Sequence, residues 1–400
     1  MTTGFSHPAP RLGDRSLWTA LTSRAYLNHA AISPLSDPAL AALRKAANAC
    51  AANGSVSFPD RLAERDRLRD KLATLINASS DEIALVPNTM WGLGCVALGR
   101  QWLRGDRLLL WRGEYPTNVT TFQRAAELFG LAITFLPASD LQAPGGADLA
   151  ALEHELRRGG VRLCAISAVQ FQTGVRAPLA EIAALCHEHG AELVVDAVQA
   201  AGAVPLDVRA MDIDYLAAGA HKWLCGADGV GMLYVSRARL PALRPPVTGA
   251  MSYDGAMDLL AAGPGHLRYD RALRGDAKRF EGGMQSSTSC AALEASLDLL
   301  LALGVGEIHR HVNAYLDVLE PQLVARGFVS MRLPEVARRS CMLSLQPPPG
   351  RDAPALASAL AAHGIVCACP DGLLRISPHW PNAEREIPDV VGAVDDVLRE

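Results

Sequence analysis

The sequence predicts an α/β protein, with a large domain built on a mostly parallel sheet and a smaller α+β domain. Three observations carry that reading. From Ile83 to Val235, short apolar runs of strand length alternate with segments whose apolar residues recur at helical spacing, the pattern of successive β-α-β units. The runs are apolar at consecutive positions, as strands buried on both faces are. The chain has 400 residues, 50% of them hydrophobic, more than one core usually holds and enough for two. The expected division is an N-terminal arm over 1–24 that joins the small domain, a large domain over 25–293, and a small domain over 294–400.

Each element follows in turn. Residues 1–24 are broken by Pro and Gly, with one short helix around Trp18, and are expected to lie across the body of the fold. Tyr26 to Leu35 reads as an opening strand and turn. A helix over 37–53 has Asp37-Pro38 as its cap and first-turn proline. Another over 59–76 alternates Arg, Asp and Glu, a solvated face rather than a basic binding patch. A strand from Ile83 ends in the polar turn Asn88-Thr89, before a helix over 90–102; backbone N–H groups at such a start, with the Thr89 hydroxyl, make an anion site. Strands over 106–111, 132–136 and 161–169 alternate with helices over 118–129, 148–158 and 178–189. His187 and His189 fall in the last turn of the third helix, whose carbonyl end accounts for them without a metal. Three more strands follow, at 193–195, 215–218 and 232–235. From Leu240 to Gly283 periodicity fades, and so long an irregular segment in a compact enzyme is usually functional. Helices over 290–303, within 306–327 and over 354–363, with strands over 328–333, 341–345 and 365–368, make the second layer.

Composition excludes several classes of function. The formal net charge is −4 with both signs interspersed, which invites neither nucleic acid nor a membrane surface. Nine cysteines show no metal spacing; the odd number, and an N-terminus without an apolar core, predict reduced thiols in a soluble cytoplasmic protein. Small-molecule chemistry is the expectation that remains.

The residues that bear chemistry cluster between Glu192 and Tyr234. The strand Leu193–Val195 stops on Asp196, and an acid at the C-terminal end of a buried parallel strand points into the crevice where such sheets bind ligands. Gln199 lies one helical turn on, and Gly219-Ala220-His221-Lys222-Trp223 follows the next strand. Taken singly, Asp196 reads as a helix cap, Gln199 as a surface residue and Lys222 as a loop lysine. Together, Asp-x-x-Gln followed by a His-Lys pair resembles the class V aminotransferase and cysteine desulfurase family of fold type I pyridoxal phosphate enzymes.

The resemblance implies pyridoxal 5'-phosphate as cofactor. It makes Lys222 the Schiff-base lysine, Asp196 the partner of the pyridinium nitrogen, Gln199 the donor to the ring 3-hydroxyl, and His221 an active-site neighbour, with Gly219 part of the cofactor site. It places the phosphate at Thr89 and Met90. Tyr115, after Glu114, stands where the desulfurase branch has a histidine stacked on the ring, and a phenol stacks but does not titrate near neutrality. Phe171 stands where the sulfur branch carries asparagine, and either Gln170 or Gln172 could supply that polar role. Lys278-Arg279-Phe280-Glu281-Gly282-Gly283 resembles a signature whose following residues reach the partner's phosphate in a homodimer. Met284 replaces the usual threonine there, leaving Ser286, Ser287 or Thr288 to supply a hydroxyl. Near the N-terminus, Asn28 and His29 fall where the family meets substrate, and His29 alone also reads as structural. Arg375, in an apolar strand within Leu373-Leu-Arg-Ile-Ser-Pro-His379, is implied to fork onto the substrate carboxylate.

The implied mechanism runs through an external aldimine of an amino acid, with Lys222 as the base. His221 before the lysine is more like the desulfurase, lyase and epimerase branches than the transaminases. The desulfurases carry a cysteine on a mobile loop, whereas Cys367 and Cys369 here alternate in an apolar run as small hydrophobes do. The expectation is a lyase working by β-elimination, possibly at a C–S bond. The alternatives are a class V aminotransferase and an epimerase of the isopenicillin N epimerase type. A pyridoxal-binding module without turnover is disfavoured, because Lys222 and Arg375 are both present and no DNA-binding region accompanies them.

Overall fold

The computed structural model describes residues 7–143 and 145–399; Met1 to Ser6 of the expected arm lie outside the described residues. In chain order the elements begin with β1 (Ala25–Tyr26), α1 (Asp37–Asn53), α2 (Phe58–Ile76), β2 (Ile83–Val86), α3 (Thr89–Gly99), β3 (Arg107–Trp111), α4 (Thr117–Phe129) and β4 (Ala132–Leu136). They continue with α5 (Ala150–Arg157), β5 (Val161–Ser167), α6 (Leu179–Glu188), β6 (Glu192–Asp196), β7 (Tyr215–Gly219), β8 (Gly231–Val235) and the short α7 (Asp258–Ala261). The C-terminal part holds α8 (Ser287–Leu303), α9 (Val305–Val324), β9 (Val329–Ser330), β10 (Leu343–Gln346), α10 (Ala353–Ala362), β11 (Ile365–Val366), β12 (Leu374–Ile376) and α11 (Ile387–Arg399).

The central sheet has seven strands in the order β2-β8-β7-β6-β5-β3-β4. Only β8 runs against its neighbours, so the sheet is mostly parallel as expected. Its strands carry apolar residues at consecutive positions, with polar ones mostly at their ends, because both faces are covered. Leu109, Trp111, Leu193 and Val195 pack into one core cluster, while Leu108, Leu110 and Val194 pack into the other. This is the period of two that a strand imposes on its side chains. The same topology brings the C-terminal ends of β2, β3, β5, β6 and β7 to one edge of the sheet, where ligands of such folds bind.

A three-stranded antiparallel sheet, β12-β10-β9, follows in the C-terminal part. The N-terminal segment is clasped to that part, since β1 pairs in parallel with β11 and His29 N donates to Ser377 O. No helix forms at Trp18. Its indole nitrogen donates to Pro34 O at 3.0 Å and its ring lies 4.6 Å from that of Trp380, contacts that hold the segment as a loop. The expected strand over 328–333 shrinks to two residues, because only Val329 and Ser330 find partners on β10. His187 is held not only by its helix end: its ring nitrogens meet Asp212 at 2.9 Å and Asp214 at 2.8 Å. Burial pulls its pKa down, but the two carboxylates outweigh that and leave it raised.

The irregular segment returns to the sheet at Glu281. This buried carboxylate accepts from Arg69 Nε at 2.9 Å and from Leu85 N at 2.8 Å, so one side chain ties α2, β2 and the end of the segment together. Removing one member of a buried ion pair strands the other charge. Glu281→Ala should therefore destabilise the fold by roughly 3–5 kcal/mol, and Glu281→Gln by less, as read from urea denaturation midpoints.

Candidate active site

A cavity of about 570 Å³ opens at the C-terminal edge of the sheet, and most of the expected residues line it. Thr89, Met90, Tyr115, Asp196, Gln199, His221, Lys222 and Arg375 are all in its wall. They come from five places in the chain: Thr89 and Met90 open α3, Tyr115 follows β3, Asp196 ends β6 with Gln199 just after it, His221 and Lys222 follow β7, and Arg375 sits in β12.

Asp196 is buried and takes a single hydrogen bond, from Val198 N–H at 2.9 Å. Burial pushes its pKa up to about 7, against the Val198 N–H; the nearby Glu114 carboxyl adds to the rise and Lys222 opposes it. Such a carboxylate is an acceptor for a cation placed in the cavity. Lys222 Nζ lies 5.6 Å from the centre of the Tyr115 ring. Burial lowers its pKa to about 8, with Asp196 opposing and Arg375 assisting. Gln199 receives the Trp223 indole N–H on Oε1 at 2.8 Å and donates one amide hydrogen to Ala30 O at 3.1 Å. Its second amide hydrogen is left for a ligand. His221 is lowered by burial and by Lys222, so its imidazole is held neutral near pH 7.

At the mouth of α3, Asn88 caps the helix by accepting from Trp91 N at 2.9 Å. The Thr89 and Met90 N–H groups take no bond among the described residues, leaving two donors of an 11-residue helix for an anion. Thr89 Oγ1 accepts from Gly219 N at 2.9 Å. A Cβ on Gly219 would stand 3.1 Å from His221 Nδ1 and 3.3 Å from Thr89 Oγ1, which explains glycine at that position.

Arg375 is 5% exposed and has no acidic partner among the described residues. Its Nη1 donates to Phe171 O at 2.7 Å, its Nε is buried without a partner, and burial lowers its pKa to about 10. A buried guanidinium without an acidic partner has donors to offer a carboxylate. Asn28 is outside the cavity wall, though its Oδ1 is likewise buried without a partner. His29 is fully buried between Tyr26 and His379 and bonds Ser33 Oγ at 2.7 Å, so it is a packing residue. Ser286 and Ser287 do not line the cavity of their own chain. Ser286 caps α8, with Oγ accepting from Ser289 N at 3.2 Å and bonding Thr288 Oγ1 at 3.2 Å. Ser287 faces the groove between α1, α2 and α8.

Two residues matter beyond those expected. Glu114 accepts from Ser167 N at 2.8 Å, from Ser167 Oγ and from Asn118 Nδ2 at 3.1 Å, which holds a half-buried acid near enough to Asp196 to act on its pKa. Burial raises its pKa against those three donors. His379 accepts from Trp380 N on Nδ1 and so donates from Nε2 to Trp223 O, both at 2.8 Å. Burial keeps it neutral, with a pKa of about 4. It locks the lysine loop from the C-terminal part, while Gly202, with φ +98°, lets a neighbouring turn come within close contact of the same Trp223 carbonyl. In the sequence His379 is only the end of the arginine-bearing segment, and its partner, 156 positions away, is not readable there.

The chain matches the family model described as aminotransferase class-V over residues 25–369. It is similar to a probable cysteine desulfurase of Pyrococcus abyssi, with 28% identity over 354 residues that cover 83% of this chain and 82% of the relative. It also resembles the cystine C–S lyase C-DES in complex with its reaction product cysteine persulfide, at a TM-score of 0.86 and 25% identity, covering 95% of this chain and 99% of that one. A further structure, of C-DES with glycine covalently linked to its pyridoxal phosphate cofactor, superposes at a TM-score of 0.87 with 26% identity and covers 96% and 99% of the two chains. The residues present fit that cofactor: an acceptor for a ring cation at Asp196, a spare amide hydrogen at Gln199, unused N–H donors at α3 and an amine of lowered pKa at Lys222.

The raised Asp196 pKa has a measurable consequence. An acid that holds its proton more tightly folded than unfolded costs stability as pH rises from about 4 to about 7. In the cofactor-free chain, Asp196→Asn should therefore stabilise by roughly 1–4 kcal/mol at pH 8 and have little effect at pH 4. Urea denaturation at both pH values checks this, and an equal effect at the two would contradict it.

Proposed function

Because the chain belongs to the class V aminotransferase family, whose cofactor is pyridoxal 5'-phosphate, we propose that it is a lyase that eliminates a sulfur substituent from the β-carbon of an amino acid. The observation that carries the substrate half of this reading is Arg375, a buried guanidinium in the wall of the same cavity as Lys222, with an unpartnered Nε and no acidic partner among the described residues. A bidentate α-carboxylate is the ligand that matches it. The reaction half is supported by the relatives, a probable desulfurase and a cystine C–S lyase, both of which cleave carbon–sulfur bonds.

Bound pyridoxal phosphate supplies an electron sink that acidifies the Cα–H of an amino acid. Lys222 is assigned to carry the cofactor and then to take the Cα proton, a task suited to an amine whose pKa burial has drawn down to about 8. Asp196 holds a proton on the ring nitrogen, Gln199 donates to the ring hydroxyl, and the first turn of α3 with Thr89 and Met90 holds the phosphate. Tyr115 covers one face of the ring and His221 borders the lysine. Asn28 is kept as a substrate contact on the strength of its buried, unpartnered Oδ1.

Elimination is favoured over persulfide transfer because no mobile cysteine loop accompanies Arg375. Ala368 pairs with Arg375 in a tight hairpin, and Gln172 pins its tip at Asp371 with a 2.9 Å bond. Cys367 packs against the core and burial raises its pKa to about 12, a poor thiolate. The expected strand is only Ile365–Val366, and Cys369 precedes the turn. Transamination and epimerisation differ from this reading only in the fate of the Cα carbanion.

The assembly proposed is a cytoplasmic homodimer, in which Ser286 and Ser287 approach the partner's phosphate. Its support is the apolar surface of the irregular segment, where Leu260, Leu267 and Met284 are exposed and Tyr269 is 92% exposed. Among the described residues no single helix is long and apolar enough to cross a membrane. The domain division proposed is 25–293 and 294–400 with the arm on the second unit; the bonds Gly13 N to Trp380 O and Arg24 N to Gly364 O support the arm's place, while the β1–β11 pairing carries that attachment past the boundary to Ala25–Tyr26.

Lys222→Ala should abolish the covalent attachment of cofactor that borohydride fixes in the wild type, as read by mass spectrometry of the intact chain. Arg375→Ala should weaken substrate binding by roughly 2–5 kcal/mol, whereas Cys367→Ala and Cys369→Ala should leave turnover within about twofold. Loss of turnover in either cysteine variant would instead favour persulfide transfer.

A further inference from the structure

The wall beside Arg375 is aromatic where a polar group was expected, and neither neighbouring glutamine restores one. Gln170 Oε1 accepts from Gln172 N at 2.8 Å and Thr173 N at 2.6 Å, and its Nε2 donates to Gly113 O at 2.6 Å, so it is used up inside its own turn. Gln172 is turned away to Asp371. The turn thus presents Phe171 to the cavity, with its carbonyl holding Arg375 and its ring 5.3 Å edge-on from Tyr115. Ile32, Met90 and Pro370 extend this apolar wall.

Charge is equally specific. Among the described residues the cavity is lined by Lys222, Arg375, Asp196 and His221 and by no other ionisable side chain except the Tyr115 phenol. With Arg375 on the α-carboxylate and Lys222 and Asp196 on the cofactor, no cation of this chain remains for a second carboxylate. A second carboxylate beside Phe171 would lie against rings and methyl groups with no cation to pair with. A thioether, in contrast, makes favourable contacts with the edge of an aromatic ring.

On the lyase reading above, we propose that the substrate is a monocarboxylic amino acid with an uncharged, apolar β-sulfur substituent, and that Phe171 is the specificity-determining residue. The step is redox-neutral. The Cα–H proton is removed, the Cβ–S bond breaks with its electron pair leaving on sulfur, and the thiolate gains a proton. The remaining 2-aminoacrylate hydrolyses to pyruvate and ammonium.

Binding separates this proposal from the reaction itself. Calorimetric titration of the cofactor-loaded protein should show L-norleucine, which has no leaving group, binding at least about tenfold tighter than L-2-aminoadipate of similar reach. Phe171→Asn should erase that preference and Phe171→Leu keep most of it. The kcat/KM values for S-propyl-L-cysteine and S-(2-carboxyethyl)-L-cysteine should follow the same order. Equal or tighter binding of aminoadipate, or a preference unchanged in Phe171→Asn, overturns the proposal. If the binding order holds while neither sulfur compound is cleaved, the specificity stands and the lyase reading falls.

Discussion

Two buried charges, Asp196 and Arg375, and the half-buried Lys222 meet at one edge of the sheet with too few partners among themselves. Asp196 has one backbone donor, Lys222 has an aromatic ring near its amine, and Arg375 has one carbonyl and an idle Nε. Isolated, each costs free energy, and the pKa of each moves toward the neutral form for that reason. Such a set marks a candidate ligand site. On the reading proposed above, pyridoxal phosphate with an amino acid would complete it, with a ring cation for Asp196, a carbonyl carbon for Lys222 and a carboxylate for Arg375.

The architecture serves to hold that set rigid. Parallel strands covered on both faces fix the ends of β6 and β7, and hence the spacing of Asp196 and Lys222. Arg375 comes from a separate sheet, so its position depends on the packing of the C-terminal part against the central one. His379 makes that dependence specific, because its neutral imidazole can satisfy both Trp380 N and Trp223 O only in one tautomer and one orientation. Glu281 does the same from the other side, anchoring the irregular segment to α2 and β2.

Much of this was legible in the sequence, for physical reasons. The order and type of the central strands and helices follow from apolar periodicity, whereas Asp196, Gln199 and Lys222 are ordinary one by one and stand out only as the Asp-x-x-Gln and His-Lys pattern of the family that the sequence resembles. Arg375 was legible as a guanidinium in an apolar strand. Glu114 was not, since its burial comes from Ser167 on a strand that sheet order, not sequence, makes adjacent. Nor was the fate of Gln170, whose amide closes a turn on backbone groups that only the folded chain brings together. The helix expected at Trp18 failed for a similar reason, as long-range contacts with Pro34 and Trp380 outweighed local propensity.

The central claim is that a carboxylate-anchored amino acid loses its β-substituent at this site. Product analysis by proton NMR, with the cofactor-loaded protein and S-propyl-L-cysteine, tests it most directly. The account predicts pyruvate, ammonium and propanethiol in equal amounts over many turnovers, with the cofactor unchanged. Conversion of the cofactor to its amine form, matched one to one by a keto acid that keeps the sulfur side chain, would contradict it.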